Sequence, residues 1–508
     1  MRPRRHSPLL VAALLAGALA GRGRAQESLD DIAGASDKEG AAKESADKKA
    51  KTVEVNGYLV NRLSGSLIDP GASAAPTQDF PSLRDMLEAN VQLKVHLGDK
   101  AFIYGDLSLF VQGGWLYYTR DPQGGGRVAV DDHDVPSLRP QIITSELYAS
   151  YSPKPWLNLL AGKKRIVWGS GVAFNPTDLI NPPKDPTDPN LQRAGAWLAR
   201  AELPFEKFTV SALFSPTTLY TANGLPYAMM KYPSFKSAEN LADQAHNPDV
   251  RDEDYHYLVA GRLYALLFDA DVSLMYFFSN KYQDGFANKS RIGASFSRYF
   301  FTDYELHVDA MFQKGSARSF VDHACATGGA CANPLAAYSA SKIDKDAIYS
   351  RVLVGGRTVF RDESSLSVEY YYQGDGDSDL EFDDRVRALL LARTLIEKTG
   401  LTVQNGLPTR FGFDPLRRHY LIASYSKPRI HDDWTITGVL IAGLRDLSGL
   451  ANLRVDWSAK EWLTLSASGY VPIRWVPVGQ TTVDGKSYSE FGLTPYDFQV
   501  MFEARAFY

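Results

Sequence analysis

Stretch after stretch of this chain alternates residue by residue between apolar and polar side chains, and no part of it offers eighteen apolar residues in a row. In the last stretch, Phe498, Val500, Phe502, Ala504, Ala506 and Tyr508 fall on one side. Gln499, Met501, Glu503 and Arg505 fall on the other, joined by Phe507. A period of two is a β-strand with one apolar and one polar face. In a soluble sandwich such a strand would be an edge open to aggregation, whereas the closing strand of a barrel is paired on both sides. An apolar face toward lipid and a polar face toward a lumen fit a transmembrane β-barrel, with Tyr508 at the membrane interface. A mean hydropathy of -0.24 is that of a polar chain and excludes helical spans, so any crossing falls to strands.

The clearest early strand is Leu87 to Leu97, with Leu87, Ala89, Val91, Leu93, Val95 and Leu97 on the apolar side. A Gly98-Asp99-Lys100 turn leads to Ala101 to Val111. Further pairs follow across short turns, among them Ile142 to Tyr151 with Trp156 to Trp168, and Ala194 to Leu203 with Phe208 to Leu213. With Val53 to Leu63 first and Phe498 to Tyr508 last, the expectation is an all-β, antiparallel barrel of about eighteen strands, an even number and a size with room for an aqueous lumen. Every second connection is short and most of the others are long, as in barrels with short periplasmic turns and long extracellular loops. Trp156, Trp434, Trp457 and Trp462 all fall beside short turns, where a periplasmic aromatic girdle belongs. Aromatics at 12% suit such girdles. The alternation and the terminal aromatic resemble Gram-negative outer-membrane barrels, which implies residence in the cell outer membrane beside lipid and lipopolysaccharide.

The start of the chain reads as a signal peptide over residues 1–25: Arg2, Arg4 and Arg5 precede an apolar run from Leu9 to Ala20 and a small-residue cleavage site ending at Ala25. That run, about twelve residues, is shorter than the roughly twenty a spanning helix needs. Residues 26–51 are small and charged with almost no large apolar side chain, which predicts a flexible periplasmic leader. The barrel is expected over 52–508. Removing the arginines at 2, 4, 5, 22 and 24 with the signal takes the formal charge from -4 to -9, and a mildly acidic chain gives no electrostatic case for nucleic acid. Cys325 and Cys331 are the only cysteines. An oxidising compartment favours a disulfide between them over a metal site, since two thiols fall short of the four ligands of structural zinc.

One long connection stands apart: Gly169 to Pro189 is rich in Asn-Pro and Asp-Pro steps, which make a stiff, irregular loop. Together with Arg165, Trp168 and Gly169, its Asn175, Pro176, Asp178, Asn181 and Pro182 resemble the Arg-x-x-Trp-Gly and Asn-Pro-x-Asp stretch of porin-like families of poorly defined substrate. The resemblance implies a third loop folded into the lumen as a constriction; a rigid extracellular loop is the alternative. Candidate pore-lining charges are Glu146, Lys163, Arg165, Arg200 and Glu202 near that loop. On the far side, Arg351 and Arg357 are read as opposing Glu369 across a short turn, and all of these could equally be ion pairs bracing the wall. The strand face carrying Lys163 and Arg165 is ambiguous; the lumen is the cheaper side, because an arginine facing lipid near the midplane costs about 2–4 kcal/mol.

A second loop carries the acidic run Asp375 to Asp384. Leu380 and Val386 stand where a calcium loop needs its glycine and bidentate glutamate, so an EF-hand is rejected. A solvated acidic loop is preferred over loose divalent binding. After it, Asp384 to Lys398 reads as a helix ended by Gly400, with Val386, Leu389, Leu390 and Ile396 needing cover, hence a lid at the barrel mouth. No His-Glu-x-x-His, Gly-x-Ser-x-Gly or Gly-x-x-x-x-Gly-Lys pattern occurs, so neither a catalytic site, a metal nor a cofactor is expected. Passive passage of a small solute is the leading expectation. The alternative is a binding or assembly protein with an occluded lumen, engaging a surface polymer or partner.

Overall fold

The computed structural model describes residues 52–68, 81–120, 127–130, 141–181, 195–216, 257–279, 290–315, 323–327, 347–399, 415–474, 481–483, 486–494 and 496–508. The strands of the first half are β1 (Val53–Ile68), β2 (Pro81–His96), β3 (Ala101–Arg120), β4 (Arg127–Val130), β5 (Gln141–Lys154), β6 (Leu157–Lys164), β7 (Ala196–Pro204), β8 (Phe208–Ser215), β9 (Leu258–Leu267) and β10 (Ala270–Ser279). Then come β11 (Ser290–Phe300), β12 (Tyr304–Lys314), β13 (Ile348–Val359), β14 (Ser365–Gln373), β15 (His419–Ile430), β16 (Trp434–Gly443), β17 (Gly449–Lys460), β18 (Leu463–Ile473), β19 (Thr481–Val483), β20 (Lys486–Tyr488) and β21 (Tyr496–Phe507). Two helices, α1 (His323–Ala326) and α2 (Asp379–Thr399), lie in long connections.

β1 to β3, β5 to β18 and β21 form one closed antiparallel ring of 18 strands. β4 only extends the far end of β3, and β19 and β20 form a separate hairpin. The ring closes where β1 pairs with β2 on one side and β21 on the other. At this seam a Cβ on Gly57 would come within 2.5 Å of the Tyr508 ring. Only glycine lets the final aromatic lie over the first strand, where the Tyr508 hydroxyl donates to the Asn90 carbonyl at 2.7 Å. On the inner side the Glu503 carboxylate accepts from Arg62 of β1 at 2.6 Å and from Arg454 of β17 at 3.3 Å, and Arg62 also reaches Glu88 at 2.9 Å. These buried pairs tie the seam strands across their lumen faces.

The apolar faces point outward. Leu107, Leu109, Leu274, Phe312, Leu453 and Phe502 stand exposed on the outer wall, a continuous greasy surface that lipid accepts and water does not. Between them on the same strands, Asp106, Ser108, Ser273, Gln313 and Glu503 are buried on the inner side. The arrangement is a closed antiparallel barrel with an apolar exterior and a polar interior, the pattern of a membrane-spanning β-barrel. Trp156, Trp434, Trp457 and Trp462 are exposed at the short-turn rim, Trp434 and Trp457 stacked at 5.4 Å. Two of those turns place Phe268–Asp269 and Phe301–Thr302 at positive φ; the first is a two-residue hairpin loop and the second adds Asp303. The phenylalanine rings are 90% and 88% exposed, so they join the aromatic rim instead of packing inward.

Several boundaries differ from the sequence expectation: β1 runs on to Ile68, β2 begins at Pro81 and β3 reaches Arg120, so the first strands extend well beyond their clearly alternating parts. The strand expected to run from Trp156 to Trp168 ends at Lys164, because Gly162 at φ 133 breaks the alternation and the chain then turns inward. The helix expected from Asp384 begins at Asp379, five residues earlier. Its start is a capping box: the Ser378 amide donates to Glu381 Oε2 at 2.7 Å and the Glu381 amide to Ser378 Oγ at 3.4 Å.

Candidate constriction and lumen wall

From Arg165 the chain leaves the wall and crosses to strands on the far side of the ring. The Ser170 amide and hydroxyl donate to Asp309 Oδ2 at 2.8 and 2.9 Å, and the Gly171 amide donates to the same oxygen at 3.1 Å. The next two amides, of Val172 and Ala173, donate to Glu369 at 2.7 and 3.3 Å. Phe174 then stacks on Tyr371 at 5.0 Å and leans on Tyr420 at 5.9 Å. Nearer its start, Trp168 packs on Phe277 at 5.5 Å. These partners belong to the inner faces of β10, β12, β14 and β15, so the segment 165–181 lies inside the ring.

The Asn-Pro motif residues stiffen this segment internally. Asn175 Oδ1 accepts from the Thr177 amide and hydroxyl at 3.3 and 3.1 Å. Asn181 bonds both main-chain groups of Ile166, accepting at 3.0 Å and donating at 2.5 Å, and donates to Asp178 at 2.8 Å. The two ends of the segment are thereby clamped together, with Pro176 buried between them. Gly169, at φ 100, sits where a Cβ would lie 2.2 Å from Thr177 Oγ1. Pro182 lies outside the described residues, as do Cys331 and the Cys325 side chain.

Of the charges read as lumen residues, Glu146 is buried and accepts the Arg165 amide at 2.8 Å. Lys163 is buried and donates to the Thr144 carbonyl at 2.6 Å. It stands opposite Leu147, which is exposed on the outer wall, and partners across a ladder share a face, so its position in the register is that of the outer face and not the expected lumen face. Arg200 and Glu202 pair with each other at 3.4 Å on β7. The expected opposition of Arg351 and Arg357 to Glu369 does not form. Glu369 lies opposite Gly355; Arg357 faces Ser367 and Glu305; Arg351 binds Asp375 through two nitrogens at 2.9 and 3.1 Å. Glu369 is committed to the inward segment instead.

Asp309 and His307 were missed by the sequence reading. Glu305, His307 and Asp309 put ionisable groups at three successive inward positions of β12, which is the signal that could have found them. His307 Nε2 lies 3.1 Å from Glu369 Oε1, and because a carboxylate only accepts, that nitrogen carries the hydrogen. The two side chains reach each other over β13 because Gly355 intervenes, where a Cβ would sit 2.4 Å from His307 Nε2.

At the rim of the long connections the acidic run is not a solvated loop, since arginines and one histidine take its carboxylates. Asp377 binds Arg385 at 2.5 Å; Asp379 bonds Arg417 and Arg445; Glu381 lies 3.6 Å from Arg418; Asp384 lies 2.8 Å from His323. Arg445 beside Asp379 holds that carboxyl below the usual carboxylate range. Helix α2 packs Phe382, Val386 and Leu389 against Leu416, Leu493 and Ala326.

No protein-family model matches the sequence, and no curated protein matches it. Among solved structures it is similar to Pseudomonas aeruginosa OccK11 (OpdR), at 8% identity and TM-score 0.43 over 90% of this chain and 95% of that one. It is also similar to Pseudomonas aeruginosa OccK5 (OpdH), at 9% identity and TM-score 0.42 over 90% and 97%. Salmonella typhi OmpF, in complex with daunomycin, matches at 8% identity and TM-score 0.38 over 90% and 97%.

Proposed function

We propose that this chain is an outer-membrane channel for passive passage of a small solute, with the segment 165–181 as its constriction. The observation that carries the reading is the seating of that segment on Asp309 and Glu369, across a closed ring with an apolar exterior. A stiff strap held by main-chain bonds narrows the bore without filling it with flexible side chains. The eight short turns face the periplasm, and the long connections, with α2 among them, face outward.

Glu146, Arg165, Arg200, Glu202, Arg351, Arg357 and Glu369 form the pore wall in this reading, with Asn175, Pro176, Asp178 and Asn181 setting the strap's shape. Several of these charges are engaged with a neighbour, as in Arg200–Glu202 and Arg351–Asp375, so the channel discriminates weakly by charge sign. The test is planar-bilayer recording of purified protein: stepwise conductance with a small preference between cations and anions is expected, and none at any voltage rejects the channel. The paired, buried charges at the rim favour the alternative of an occluded barrel engaging a surface polymer or partner. That protein would bind its partner with a sealed lumen.

A further inference from the structure

Glu369 and Asp309 bond the strap, whereas the polar partners of His307 are Glu369 and Glu305 of the wall. His307 is 1% exposed, as is Glu369, and lies in a pocket of charges contributed by three strands. Its Nε2–H is spent on Glu369 at 3.1 Å, and its Nδ1 faces Glu305 at 3.8 Å. Asp309 is the next inward residue of β12, and Arg357 of β13 stands opposite Glu305 in the register. The other charged inward group of β13, Arg351, is engaged by Asp375. From Ile166 to Thr177 the strap itself has no titratable side chain. Three carboxylates therefore converge where the strap docks, and the imidazole is the group among them whose charge changes near neutral pH.

We propose that His307 is a positioning residue for the constriction: through Glu369 it holds the strap in its seat, and its protonation makes that seating pH-dependent. With both ring nitrogens protonated, the imidazolium offsets the charge of Glu305, Asp309 and Glu369, the last two of which accept the amides of residues 170 to 173. As the pH rises through the histidine's titration, that positive charge disappears and the carboxylates repel one another. The hydrogen bond to Glu369 survives but is no longer charge-assisted, and such bonds are weaker. At low pH, protonated carboxyl groups would accept the strap's amides less strongly, so the strap is held best between these limits. Gly355 is part of the device, since any side chain there would displace the imidazole from Glu369.

The inference rests on reading 165–181 as a constriction, and its test reads the strap's position independently of conduction. A Val172→Cys protein, folded in detergent, is labelled with a water-soluble maleimide from pH 5 to 9, and modification at position 172 is followed by peptide mass. Rates are divided by those of a free thiol at the same pH, which removes the rise in thiolate, and this ratio should increase as the pH rises. At pH 7, His307→Ala should label about tenfold faster than the parent, the factor expected when one hydrogen bond to a charged group is lost. His307→Gln keeps a neutral donor toward Glu369, so it should label near the parent rate at pH 7 with the alkaline rise abolished. Equal rates for His307→Ala and parent at every pH, or a parental pH profile in His307→Gln, would overturn the assignment. If His307→Ala does not fold, the glutamine variant and the parent's own profile still decide. A barrel that labels as expected yet conducts nothing rejects the channel and leaves the positioning role standing.

Discussion

Asp309→Ala is the sharpest perturbation of the constriction. Asp309 is fully buried, and its Oδ2 accepts three hydrogen bonds from Ser170 and Gly171 at 2.8 to 3.1 Å. Truncation leaves two buried amides and a hydroxyl without their acceptor. Each orphaned group costs about 1–3 kcal/mol, but lumen water recovers part of this, so about 3 kcal/mol is expected for the seated state as a whole. That is roughly a hundredfold shift toward the unseated strap. Asp309→Asn keeps a carbonyl oxygen at nearly the same place and loses only the charge, so its effect should be smaller, about tenfold. The assay is single-channel recording under identical voltage and salt, with the fraction of time in a wide-open level as the readout. The expected order is parent, then asparagine, then alanine. An alanine variant with parental conductance and noise would refute the idea that these bonds hold the constriction.

At the seam, Gly57→Val should abolish or delay ring closure, because its Cβ would meet the Tyr508 ring; loss of the heat-modifiable folded band on electrophoresis is the check. Arg385→Ala leaves the buried Asp377 without its cation, a change that costs about 3–5 kcal/mol where both partners are buried, so helix α2 should become sensitive to protease. Removing both partners, as Asp377→Asn with Arg385→Met, should restore much of the resistance. Because Asp379 has a depressed pKa, its bonds to Arg417 and Arg445 contribute above the ordinary carboxylate value and are lost only as the pH falls through the lower folded value. Protease sensitivity of α2 should therefore stay flat through mildly acidic pH; a rise already at pH 5 to 6 would contradict this.

Much of the fold was legible because a period of two fixes which face of each strand is apolar, and eighteen such segments leave few ways to satisfy backbone and lipid together. Where the alternation fails, so did the reading. Gly162 at positive φ ends β6 early, and with it went any safe assignment of Lys163 and Arg165 to a face. The helix start was misplaced although Ser378 and Glu381 form a capping pair, since the acidic run around them drew attention to charge instead. The Asn-Pro-rich motif marked a stiff loop but left its place open between lumen and exterior, and its anchors were not legible at all: Asp309 and Glu369 lie about 140 and 200 residues away in sequence, and only the register of the ring brings them to neighbouring amides of one segment. Glu369 was singled out for the wrong partner, because a charge opposite two arginines in sequence is opposite Gly355 in space.

Ser170 Oγ lies 2.9 Å from Asp309 Oδ2, an oxygen one bond beyond where a cysteine sulfur would stand, so Ser170→Cys with Asp309→Cys should close a disulfide across the lumen once the strap shifts by roughly one bond length. Conductance of that double variant, recorded in one bilayer before and after addition of a reductant, tests the central claim most directly. The oxidised barrel should conduct at the parental level and step up on reduction, since the bond and the missing carboxylate then both release the strap. Two free thiols in a folded barrel, or a conductance indifferent to reduction, would contradict the account.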